Sequence, residues 1–110
     1  MFEKLELTRI AQALASHAGA RMGLIAENVA NADTPGFKAR DLPDFAEVFA
    51  RGASDTPELT AGATDPNGNS VSLQDQMLRM ADVRVSHEMA LAIYRSTSGI
   101  VRAALGRGGQ

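Results

Sequence analysis

The chain contains no cysteine, so a disulfide scaffold, a thiol nucleophile and a Cys-ligated zinc site are all excluded. It has no apolar run approaching the roughly 18 residues needed for a membrane-spanning helix. Its opening residues, Met1-Phe2-Glu3-Lys4-Leu5-Glu6-Leu7, lack the basic segment followed by an apolar core that marks a secretory signal peptide. The net charge of -2 argues against a dedicated nucleic-acid binder. Proline is missing from both ends, since Pro35, Pro43, Pro57 and Pro66 all fall in the middle of the chain.

What the 110 residues do contain is alanine: 19 of them, against 30 larger apolar residues. Alanine is the best helix former and buries little area, so the composition favours close-packed helices over a thick core. The chain reads as a single domain, 1–110, in three zones. Residues 1–32 carry no net charge, 33–72 carry -4 and 73–110 carry +2.

In the first zone Leu7, Ala11, Leu14, Ala18, Met22, Ile25, Val29 and Ala32 recur at helical spacing. Gly19 and Gly23 interrupt this stripe; close approach of a neighbouring helix would explain them, and flexibility is the other reading. The last zone opens with Ser72 as N-cap and Asp75 three residues on. Leu73, Met77, Met80, Arg84, His87, Leu91, Tyr94, Ser98, Val101 and Leu105 then alternate in steps of four and three. Gly106, Gly108 and Gly109 should stop this helix near 105. A second set, Leu78, Val85, Met89, Ile93 and Ile100, lies off that stripe. Two helices in a hairpin cover only one face each, so the surplus apolar face calls for another protein chain.

The fold class expected is therefore all-α. Two long terminal helices, 1–32 and 73–105, form a coiled-coil-like hairpin. They are joined by an irregular extended connection, 33–72, with room for a short β-hairpin.

No active site assembles from this sequence. Asp65, Asn67 and Asn69 match the start of a calcium loop, but Ser70 and Gln76 stand where its glycine and bidentate glutamate belong; an Asn-Gly turn accounts for them better. His17 and His87 have no carboxylate on their own helix face and read as structural histidines. Asp41, Asp44 and Glu47, beside Arg40 and Arg51, read as a solvated turn or short helix face. Catalytic, cofactor-binding and metal residues are each expected to be absent.

The informative segment is 28–45. Asn31 and Asp33 can satisfy the last helical carbonyls, and Pro35 prevents continuation. Thr34-Pro35-Gly36-Phe37 fits a type II turn, with glycine accepting positive φ. Phe37 and Phe45 add apolar anchors. Residues 28–37 resemble the N-terminal signature of bacterial flagellar rod and hook proteins, an A-N-x-x-T-P-G-[FY] run closing the first helix. Lys38-Ala39-Arg40-Asp41 and Asp44-Phe45 resemble the proximal rod type, as does Asn67-Gly68-Asn69-Ser70-Val71 leading into the last helix.

The resemblance implies a non-enzymatic building block of the flagellar basal-body rod. It implies export through the flagellar type III system without a cleaved signal peptide, no cofactor, and a place in the rod crossing the periplasm. The implied partners are other copies, other rod proteins and the MS-ring and export-gate junction at the rod base. On this reading Asn28, Asn31, Thr34, Pro35, Gly36 and Phe37 form an assembly corner. Leu14, Ile25, Val29, Leu91, Tyr94, Val101 and Leu105 form the helix packing. The rival reading is a soluble helical-hairpin adaptor or secretion chaperone gripping one partner helix.

Overall fold

The computed structural model describes residues 2–52 and 55–108. Helix α1 runs over Phe2–Ala30 and helix α3 over Leu73–Gly108, about 44 and 54 Å at 1.5 Å per residue. They lie antiparallel: Asn28 reaches Gln76, Arg21 reaches Asp82, and Thr8 lies near Thr97 and Ser98. The molecule measures 69 × 24 × 15 Å, and its radius of gyration is 18.3 Å. A compact domain of this length would have about 13 Å.

Between the long helices the chain folds back along α1. Strand β1, Arg40–Asp41, pairs antiparallel with β2, Glu58–Leu59, in the register Arg40 with Leu59 and Asp41 with Glu58. Helix α2, Phe45–Arg51, lies between these strands in sequence, so the β element is a wide loop carrying a helix rather than a tight hairpin. The Asp44 carbonyl accepts the amides of Glu47 and Val48 at 3.0 and 3.1 Å. Gly52, at φ 62° and ψ 23°, ends the helix in the left-handed conformation. At the start of α3 the Asp75 amide donates to Ser72 Oγ at 3.2 Å, the N-cap that the sequence indicates.

The seam of the hairpin departs from the apolar stripes. On α1 the buried positions are Ala11, Leu14, His17, Ala18, Ile25 and Asn28, with Arg21 half-buried among them. On α3 they are Gln76, Val83, Ala90 and Thr97, seven residues apart throughout. The core proper is Ala18, Ile25 and Val83, flanked by Met22 and Met80. Leu14 and Ile25 lie in the seam and Leu91 is half-buried, while Val29, Tyr94 and Leu105 are exposed. The Val101 side chain lies outside the described residues. The physical reason is that the helices approach on small residues. Polar side chains that find partners take the remaining seam positions, while bulky neighbours one residue away turn outward.

Two further expectations are corrected. Helix α3 does not stop at 105 but continues to Gly108. A helical glycine costs about 1 kcal/mol relative to alanine, which does not end a helix already propagating; Gly109 lies outside the described residues. Among the described residues a Cβ on Gly19 or Gly23 finds nothing within 4 Å, so the close approach expected there is not made by the described residues of this chain.

Candidate assembly corner

The corner at the end of α1 is held by side-chain amides. Asn28 is buried. Its Nδ2 donates to the Arg40 carbonyl at 2.8 Å and to Gln76 Oε1 at 3.1 Å, while its Oδ1 accepts the Arg40 amide at 3.1 Å. One asparagine thus ties α1 to β1 and α3, with both faces of its amide used. Asn31 Nδ2 caps the Glu27 carbonyl at 2.8 Å, and Thr34 Oγ1 donates to Asn31 Oδ1. The Phe37 amide then donates to the Thr34 carbonyl at 3.2 Å across Pro35 and Gly36, with Gly36 at φ 76°. Pro35 and Gly36 are exposed and Phe37 is half-buried.

A second segment closes onto this turn. The Gly36 amide donates to the Asn67 carbonyl at 3.0 Å, and the Ser70 amide to the Phe37 carbonyl at 3.0 Å. Asn69, also buried, sends Nδ2 to the carbonyls of Asn31 and Thr34 at 2.9 and 2.7 Å and accepts the Val71 amide on Oδ1. Gly68 sits at φ 87°, and a Cβ there would lie 3.2 Å from the Gly36 Cα. The Asp65–Asn69 segment is therefore the other half of the corner. Asn67 Oδ1 accepts the Asn69 amide at 3.0 Å, so both asparagines of the calcium-like pattern are engaged with the backbone.

Asp41 is the charged pin. The sequence reading as a solvated face holds for Asp44 and Glu47, which are exposed, but not for Asp41, which is 6% exposed. Arg21 grips it with two hydrogen bonds of 3.0 and 2.9 Å, Arg79 adds one of 2.7 Å, and the Leu42 amide another of 2.7 Å. Asp82 and Asp75 flank the two arginines at 3.0 and 2.8 Å. Burial alone would push the Asp41 carboxyl upward, but the hydrogen bonds from Arg21, Arg79 and the Leu42 amide outweigh it and hold the carboxyl below its ordinary value. The same bond from Asp41 raises Arg21, against its own desolvation.

Along the flank of α1, His17 is buried, its Nε2 2.8 Å from the Pro43 carbonyl, and its ring meets Phe45 edge-on at 5.5 Å. Phe45 stacks on Phe49, over which Arg9 lies at 5.3 Å. His87 is half-buried on α3. Among the described residues no cluster of His, Asp or Glu is arranged to hold a metal ion. These contacts fix the angle between the chain segments.

Sequence reasoning missed Asn69, Gln76, Arg21, Arg79 and Asp41 as members of the corner. For two of them the signal was positional: Arg21 continues the seven-residue spacing of Leu14, and Gln76 that of Val83. Gln76 Nε2 is the one buried side-chain polar atom without a partner among the described residues.

The description "Flagella basal body rod protein" fits residues 9–38, a span that takes in the seam of α1 and the Asn28-to-Phe37 half of the corner. The flagellar basal body rod protein FlgB of Escherichia coli (strain K12) is 29% identical over 122 aligned positions, covering 84% of this chain and 88% of the relative. The protein of the same name from Shigella flexneri gives the same figures. That from Salmonella typhimurium (strain LT2) is 28% identical over 105 positions, covering 69% of this chain and 75% of the relative. The matched corner and these relatives together make the chain similar to the flagellar basal body rod proteins, those of the FlgB type among them.

Proposed function

We propose that this chain is a structural subunit of the proximal flagellar rod, polymerising through its two long helices into the tubular shaft. The observation that carries this reading is the placement of apolar side chains. The hairpin seam holds few large apolar residues, Leu14, Ile25 and Val83 among small and polar ones, while Phe2, Met77, Leu78 and Leu105, each between 64 and 77% exposed, project outward. A monomer of this size rarely leaves so many large apolar groups in water unless a partner covers them. Heterologous contacts between identical copies stay open and give filaments.

The role is mechanical, in keeping with a family whose members are structural rather than catalytic. On this reading the chain travels through the flagellar type III export system, and other rod proteins and the MS-ring and export-gate junction are its neighbours. Its core lies toward the corner, so the corner half is ordered first and the outer halves of α1 and α3 order on assembly.

Replacing Pro35-Gly36 by Ala-Ala tests this. The change removes the fixed φ and the positive-φ residue of the turn. Cells carrying it should fail to swim and should yield basal bodies lacking the chain; normal swimming refutes the role given to the corner. Hydrogen exchange on the dilute chain tests the folding order. Fast exchange at 2–10 and 98–108 is expected, and uniform protection of both helices would favour the adaptor reading.

A further inference from the structure

The charge zones of the sequence become two separate exposed surfaces of the folded chain. Helix α2 packs on α1 and makes no contact with α3 among the described residues. On the α2 side Asp44, Glu47, Asp55 and Glu58 are all exposed, beside exposed Leu59. None of these four carboxylates forms an ion pair among the described residues. On the other surface, the sequence after Glu88 holds no acidic residue. Arg95 and Arg102 stand one heptad apart there. Each is about 140° around the helix from a buried position, Ala90 or Thr97; Arg95 faces away from the seam, and Arg102 borders the groove that Thr8 of α1 lines with Thr97 and Ser98. Both are exposed and unpaired among the described residues, with Leu105 exposed beside them.

We propose that these two surfaces dock on one another between copies. The exposed C-terminal half of α3 around Arg95 and Arg102 seats on the acidic strip from Asp44 to Glu58 of a second copy of this chain. The occupant is a second copy because the chain itself carries both complementary charges, each beside an exposed leucine, Leu59 by the carboxylates and Leu105 by the arginines. A copy so bound still presents its own acidic strip, so the contact is heterologous and propagates. The proposal rests on the polymerising reading above and names the surfaces it uses.

The test uses the purified full chain followed by sedimentation velocity. At about 0.1 M salt the screening length is about 10 Å, and at about 1 M it is about 3 Å. The parent chain should self-associate at the lower salt and lose about tenfold in association at the higher. R95E/R102E and E47K/E58K, which change only exposed unpaired groups, should each keep the parent's circular dichroism and lose association about tenfold. An equimolar mixture of the two variants should associate again, because alternating copies restore opposite charge at every contact. A variant that associates like the parent, a mixture that stays dispersed, or a parent chain that stays monomeric at low salt overturns the proposal. Isolated basal bodies separate this from the rod reading. A parent chain absent from them refutes the rod reading, whereas charge-reversed variants incorporated at the parent's level refute the docking alone.

Discussion

Replacing Asp41 by alanine should open the corner more than any other single change in the middle segment. The substitution removes the acceptor of three guanidinium hydrogen bonds of 2.7 to 3.0 Å and of the Leu42 amide. Arg21, whose side chain is only 14% exposed, keeps Asp82, and Arg79 keeps Asp75; both remaining partners reach solvent. Breaking a fully buried pair typically costs about 3–5 kcal/mol. The surviving partners place this case near the lower end, at about 3 kcal/mol. One decade in an equilibrium is about 1.4 kcal/mol, so the amides of Ile25 and Val83 should exchange on the order of a hundredfold faster in the variant. Native-state hydrogen exchange reads this directly, residue by residue, even where the outer helices are frayed. Exchange at these amides within about threefold of the parent would refute the claim that Asp41 pins the core.

The same pin sets an acid limit. The Asp41 carboxyl titrates lower in the folded chain than its ordinary 3.8, so its stabilisation is complete above that value and fades as pH falls below about 4 toward the folded value. Asp41→Asn should flatten this part of the pH–stability profile, measured by urea titration with circular dichroism. Asn28→Ala removes three hydrogen bonds and strips Gln76 of its partner, and should cost about 2–4 kcal/mol in the same titration. Gly68→Ala meets both a φ of 87° and the Gly36 Cα at 3.2 Å, and should destabilise by about 1–3 kcal/mol. Gly23→Ala, with open space around it, should instead stabilise the isolated helix by up to about 1 kcal/mol. Loss of swimming in that last variant despite higher stability would show that a neighbouring subunit approaches there.

Both long helices, their order and the turn between Thr34 and Phe37 were legible in the sequence, because alanine content, absence of proline and the Pro-Gly pair act locally. The faces of the helices were legible only in part. Ala11, Leu14, Ala18 and Ile25 are apolar and small enough to sit where hydropathy places them. At Arg21, Asn28 and Gln76 the seam is polar, and the pattern of apolar residues slid to Met22, Val29 and Met77. A buried polar residue announces itself only through its partner. Those partners, Asp41 for Arg21 and the Arg40 backbone for Asn28, lie 20 and 12 residues away. For Asn69 the partners are the carbonyls of Asn31 and Thr34, which no reading of neighbours in sequence pairs with it. The acidic middle zone hid the same distinction, since Asp44 and Glu47 are solvated and Asp41 is not.

The contact between Gly36 and the Asn67-to-Asn69 turn has a consequence for the length of the chain. Two turns about thirty residues apart are stitched backbone to backbone, and α3 begins only four residues beyond that stitch. How α1 and α3 meet is therefore decided at the two ends of the intervening segment. What lies between, above all the exposed stretch 61–66, can lengthen or shorten without turning one helix against the other. A closed loop of this kind costs only about 0.6 kcal/mol per doubling of its length. That stretch is the place where relatives of different size can differ while keeping the same angle at the corner.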